Sequence, residues 1–117
     1  MKQKTALESL SALAHDGRLD LFRRLVQAGP EGLPAGKLAE DANVNFTTAS
    51  AQLSILAQSG LATRQRHGRS IIYRADYGAI RALIAFLMED CCAGRQDILA
   101  PLSRITGHPT FEKGNLS

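Results

Sequence analysis

The amino-acid sequence predicts a mainly α-helical domain that carries a two-stranded β hairpin ahead of its last helix. Two observations predict it. Apolar residues recur at helical spacing through most of residues 1–94, and a single β-favouring run, Ser70-Ile71-Ile72-Tyr73, interrupts them behind a His67-Gly68 reversal. A length of 117 residues leaves room for one modest core. With no Trp in the chain, aliphatic side chains must supply most of that core. Chains this short often complete their burial against a second copy.

The helices follow in order. Thr5 to Ala14 carries Leu7, Leu10, Leu13 and Ala14 as a short apolar stripe. Asp16 is a suitable cap for a second helix, in which Leu21, Phe22, Leu25 and Val26 mark one face and Arg23 and Arg24 stay outside. The run Ala28-Gly29-Pro30-Glu31-Gly32 stops it. Ala35 to Ala42 forms a third helix with Leu38, Ala39 and Ala42 inward. Asn43 then suits a left-handed turn, Val44 is expected to pack inward, and Asn45 is a good N-cap for a fourth helix. In that helix Ala49, Leu53 and Leu56 share one face, and Gly60 ends it. Strands are expected over Leu61 to Arg66 and Arg69 to Ala75. Asp76 caps a last helix whose apolar positions run Ile80, Leu83, Ile84, Leu87, Met88 and Cys91, with Gly94 at its end. Residues 95–117, with Pro101, Gly107, Pro109 and Gly114, are expected to form a partly irregular tail.

Two short helices joined by a tight turn, the second with small polar residues outward, fit a DNA-reading helix-turn-helix. A helix that enters the major groove needs short hydrogen-bonding side chains near its N-terminus, and Thr47, Thr48, Ser50 and Gln52 supply them. The following hairpin carries Arg64, Arg66, His67, Arg69 and Arg74, a composition suited to a wing on DNA phosphates. Singly, each feature also describes an ordinary solvated surface. Their order is more restrictive and gives a winged helix-turn-helix. The net charge of +3 agrees with a nucleic-acid partner only where the charge is clustered, as it is in this hairpin.

The run from Leu13 to Asp76 resembles the ArsR/SmtB family of bacterial transcriptional repressors, most of all in LAHDGRL, TTASAQLSILAQSGL and RHGRSIIYRAD. The resemblance implies a homodimer built by the first and last helices and a double-stranded, palindromic operator. Many relatives carry His in the middle of the fourth helix, where this chain has Ala51-Gln52.

The two cysteines, Cys91 and Cys92, are neighbours. Consecutive Cα atoms lie about 3.8 Å apart, closer than the roughly 5.5 Å that a disulfide prefers, so the pair is a poor crosslink. Buried packing is one reading, since Cys91 continues the apolar stripe of the last helix. Soft-ligand binding is the other. The stretch FLMEDCCAGR resembles the vicinal-cysteine inducer site of an ArsR subgroup that senses trivalent arsenic or antimony, which implies that Cys91 and Cys92 are the metalloid ligands. Relatives often add a third cysteine, but Ile98 and Leu99 stand in that neighbourhood here. Methylated trivalent arsenic, with two open positions, would fit two thiols.

Other chemistry lacks a foothold. His15, His67 and His108 are scattered, without the spacing of a zinc site. No phosphate loop, cofactor fingerprint or nucleophile–base pairing stands out, so neither an enzyme nor a resident cofactor is expected. No membrane partner is expected either, and without a signal-peptide core at the N-terminus the chain is expected to be cytoplasmic. Two alternatives stay open: a repressor using the same thiols to sense oxidants or electrophiles, and a winged-helix protein-interaction module that does not bind DNA.

Overall fold

A computed structural model describes residues 1–89 of the chain. Among these, helices α1 (Gln3–Leu13), α2 (Asp16–Ala28), α3 (Ala35–Ala42), α4 (Phe46–Gln58) and α5 (Tyr77–Met88) alternate with strands β1 (Leu33–Pro34), β2 (Ala62–His67) and β3 (Ser70–Ala75). The core is aliphatic, as the absence of Trp requires. Leu25, Leu38, Leu53, Leu56 and Leu61 are completely buried, each contributing about 1.5–3 kcal/mol by leaving water. Leu21, Phe22 and Tyr73 join them, so α2, α3, α4 and the sheet share one cluster. No helix of the described residues is long and apolar enough to cross a membrane.

Local chemistry sets most boundaries where the sequence indicates them. Asn43 adopts the left-handed conformation, φ 59° and ψ 45°, after α3. Its N–H donates to Glu40 O and the N–H of Val44 donates to Ala39 O, the paired bonds of a Schellman turn. Asn45 caps α4 by accepting from the N–H of Thr48 at 2.7 Å. A second Schellman turn closes α4: Gly60 takes φ +87°, its N–H donates to Ala57 O, and the N–H of Leu61 donates to Leu56 O. Buried Leu56 and Leu61 supply the apolar contact that accompanies such a turn. Asp76 caps α5 through the N–H of Ala79.

Several expectations need correction. The cap of α2 is His15, whose Nδ1 accepts from the N–H groups of Gly17 and Arg18, and Asp16 is already helical. Val44 is 40% exposed rather than packed inward, because the Schellman turn carries it past the end of α3. The hairpin turns at Gly68-Arg69, since His67 pairs with Ser70; Gly68, at φ +62°, stands first in the turn, where a two-residue hairpin loop favours glycine. The wing is not two-stranded. Leu33 and Pro34 pair with Tyr73 and Ile72, giving a three-stranded antiparallel sheet in the order β1-β3-β2. A two-residue strand shows no alternation in a sequence, and its proline is tolerated because β1 lies at the sheet edge.

The outer helices differ too. In α1 the buried residues are Ala6, Ser9 and Ala12, small enough for close approach, while Leu7 is 58% exposed. In α5 only Leu83 is buried, and Leu87 is 53% exposed. The last helix is shorter than expected: Glu89, with ψ 132°, already leaves the helical conformation. Cys91, Cys92 and Gly94, and the tail expected over 95–117, lie outside the described residues.

The loop before β1 depends on one glycine. Gly32 sits at φ +73°, and a Cβ there would run into the carbonyl of Tyr73 and the side chain of Arg74. Gly36, in α3, has open space around its Cβ position. Gly32→Ala should therefore lower stability by about 2 kcal/mol or more. Gly36→Ala should raise it by about 0.5–1 kcal/mol. Urea denaturation of both variants checks this; a Gly32→Ala protein as stable as wild type would contradict the loop's geometry.

Candidate nucleic-acid interface

Helix α4 is held by its buried face. Ala49, Leu53 and Leu56 are fully buried, which fixes the rotation of the helix about its axis. The opposite face is a stripe of Thr47, Ala51, Ser54 and Gln58 at i, i+4, i+7 and i+11, with Thr48 beside it. All of these are exposed except Ser54, which is half-buried.

The sequence-predicted residues divide accordingly. Thr47 and Thr48 stand on the outward face. Ser50 lies on the wing side, where it lines a cleft of about 520 Å³ together with Phe46, Arg64, Arg69 and Tyr73. Gln52 lies on the other flank, half-buried, with its Oε1 accepting from Arg18 Nη1 at 3.1 Å. Arg66 and His67 are exposed at the end of β2, and Arg69 is exposed in the turn that follows. Selection of short polar residues near the N-terminus of the helix passed over Ala51, Ser54 and Gln58. The helical period counted from Ala49, Leu53 and Leu56 would have found them.

The pairing of β2 with β3 decides which arginines face α4. Arg64 pairs with Tyr73 and Arg66 with Ile71, so both arginines share the sheet face of the buried Tyr73. Arg74 is on the other face. Its guanidinium donates to Pro30 O and to Gln65 Oε1, and this removes it from the group expected to grip phosphates. No hydrogen bond or ion pair among the described residues engages the side chains of Arg64, Arg66 or Arg69.

Charge is segregated between the two elements. From Asn43 to Leu61 there is no charged residue, whereas Leu61 to Ala75 holds Arg64, Arg66, Arg69 and Arg74 with no acidic residue. A neutral helix of hydroxyl, methyl and amide groups beside a cationic hairpin suits two tasks on a duplex: hydrogen bonds and methyl contacts at base edges, and charge neutralisation at phosphates. Among the described residues no group of three His, Cys, Asp or Glu side chains could hold a metal ion.

The described residues thus form a winged helix-turn-helix domain, the fold of a class of transcriptional regulators. Residues 13–65 match a family model described as a helix-turn-helix domain. The structure resembles the homodimeric winged helix-turn-helix DNA-binding domain of Mb0332 from Mycobacterium bovis, described as a possible ArsR-family transcriptional regulator, with 27% identity, TM-score 0.60 and coverage of 76% of this chain and 82% of that one. It also resembles NolR from Sinorhizobium fredii, with 26% identity, TM-score 0.58 and coverage of 75% and 85%. An ArsR-like transcriptional regulator from Rhodococcus sp. RHA1 shares the fold at 24% identity and TM-score 0.65, with coverage of 87% and 92%. No curated protein matches the chain.

This division of labour has a measurable signature. Arg69→Ala should weaken binding to all duplexes alike and reduce the slope of log K against log salt by about 1 for each wing. Thr47→Ala should change preference at one base pair by about 1–3 kcal/mol and leave the slope intact. Anisotropy titrations at several salt concentrations check both; an Arg69→Ala protein altered only in sequence preference would reverse the assignment.

Proposed function

We propose that the chain is a dimeric, cytoplasmic transcriptional repressor of the ArsR type, which binds double-stranded operator DNA through α4 and the wing and releases it when Cys91 and Cys92 bind trivalent arsenic or antimony. One observation carries the DNA-binding part: the neutral outward stripe of α4 stands beside exposed wing arginines that have no side-chain partner among the described residues. The dimer is supported by the apolar surface exposed among the described residues of α1 and α5, including Leu7, Leu10 and Leu87. The homodimeric state of the Mycobacterium bovis domain agrees with it. A palindromic operator follows, because a two-fold protein presents two α4 helices to two half-sites.

The inducer part rests on sequence chemistry. Two adjacent thiols follow the described end of α5 by a few residues, and thiolates select soft, thiophilic centres. A ligand there relieves repression only if it binds the DNA-free form more tightly. With two thiols per chain, methylarsenite should act at least as well as arsenite.

Leu87→Glu should give a monomer with little affinity for DNA, since it places a charge on the uncovered face of α5 without touching the protomer core. Leu83, which is buried within the protomer, would confound that test. Multi-angle light scattering reads the outcome; a wild-type protein that is monomeric at micromolar concentration would sink the dimer.

For the inducer, a duplex enriched from a random pool by the wild-type protein serves as the probe. Arsenite or methylarsenite should release it from wild type, but not from a Cys91→Ser, Cys92→Ser double variant that still binds. Release from the double variant would place the effector elsewhere, and release by peroxide alone would make the thiols an oxidant sensor.

A further inference from the structure

The side chain of Arg18 joins three elements. It projects from the first turn of α2, where its Nε donates to Ala12 O at 2.6 Å and its Nη2 to Ser11 O at 3.4 Å. Both acceptors belong to the last turn of α1, the negative pole of that helix, and Ser11 O also accepts from the N–H of Ala14 at 3.2 Å. The remaining arm, Nη1, reaches Gln52 Oε1 on α4 at 3.1 Å.

That last bond constrains the amide. Arginine has donors only, so Gln52 must turn its oxygen toward Arg18 and its NH2 group the other way. The Nε2 of Gln52 has no hydrogen bond among the described residues. Gln52 lies one turn after the exposed Thr48, half-buried at the border between that residue's flank and the buried face of α4.

We infer that Arg18 is a positioning residue that turns the NH2 group of Gln52 away from α2, as a donor to a hydrogen-bond acceptor of the DNA. The inference rests on the DNA-binding reading above. It also narrows what Gln52 can recognise. A free glutamine reads adenine through both amide atoms, accepting from N6 and donating to N7. With one lone pair of its oxygen held by Arg18 and its NH2 group turned the other way, Gln52 offers the NH2 first, to a phosphate oxygen or to an acceptor on a base edge.

The test is a double-mutant cycle on affinity for the enriched duplex, with thermal unfolding as the control for fold. Gln52→Met, similar in size and uncharged, should weaken binding about tenfold. Arg18→Lys keeps a cation near the α1 carbonyls but loses the planar fork. It should cost about threefold or more in the wild-type background and less than about twofold in the Gln52→Met background. A Gln52→Met loss spread evenly over all single-base variants of the duplex identifies a phosphate acceptor, and a loss confined to one base pair identifies a base.

Wild-type affinity in Gln52→Met would overturn the donor contact. Equal Arg18→Lys losses in the two backgrounds would show that Arg18 acts through the fold rather than through Gln52. Failure of the wild-type protein to enrich any duplex would remove the DNA-binding reading itself, and this inference with it.

Discussion

The burial of Ala49, Leu53 and Leu56 along one side of α4 is the constraint on which the rest depends. All three are inaccessible to solvent, so the helix cannot turn about its axis without opening the core. Replacing Leu53 or Leu56 by alanine would cost about 2–5 kcal/mol on the same grounds. The outward stripe is therefore set by packing before any ligand arrives. Both ends of the helix are fixed as well, by the Asn45 cap and the Gly60 turn, so its axial position is as constrained as its rotation.

Once α4 is fixed, the wing follows from chain connectivity. Leu61 is buried directly after the Gly60 turn, and its carbonyl accepts from the N–H of Asp76, which closes the base of the hairpin. Strand pairing then places Arg64 and Arg66 on the face of Tyr73, while Arg74 is held by Pro30 and Gln65. Cationic and neutral surfaces are thereby assigned to different elements. In the proposed function the charged hairpin would supply a salt-dependent grip and the neutral helix the discrimination.

Much of this was legible in the sequence because it is local. Asn43, Asn45, Gly60 and Asp76 act within a few residues of themselves, and the helical period of Ala49, Leu53 and Leu56 is plain. What was not legible depends on distant partners or departs from common residue preferences. His15 caps a helix although Ser, Thr, Asp and Asn are the usual caps. Strand β1 exists only because β3 has a free edge nearby. Gln52 and Arg74 look like exposed polar residues until the residues that bind them, 34 positions away for Gln52 and 44 for Arg74, are in place. The leucines of α1 were legible as a stripe, but the outward orientation of Leu7 and Leu10 was not, because small Ala6, Ser9 and Ala12 take the inner face.

The central claim is that α4 and the wing form a DNA interface used in two symmetry-related copies. Hydroxyl-radical footprinting on a duplex enriched by the wild-type protein tests it most directly. The account predicts two protected blocks related by a two-fold axis, their centres separated by about 10–10.5 base pairs or a multiple of that. A single protected block, or uniform cleavage along the duplex at saturating protein, would contradict it.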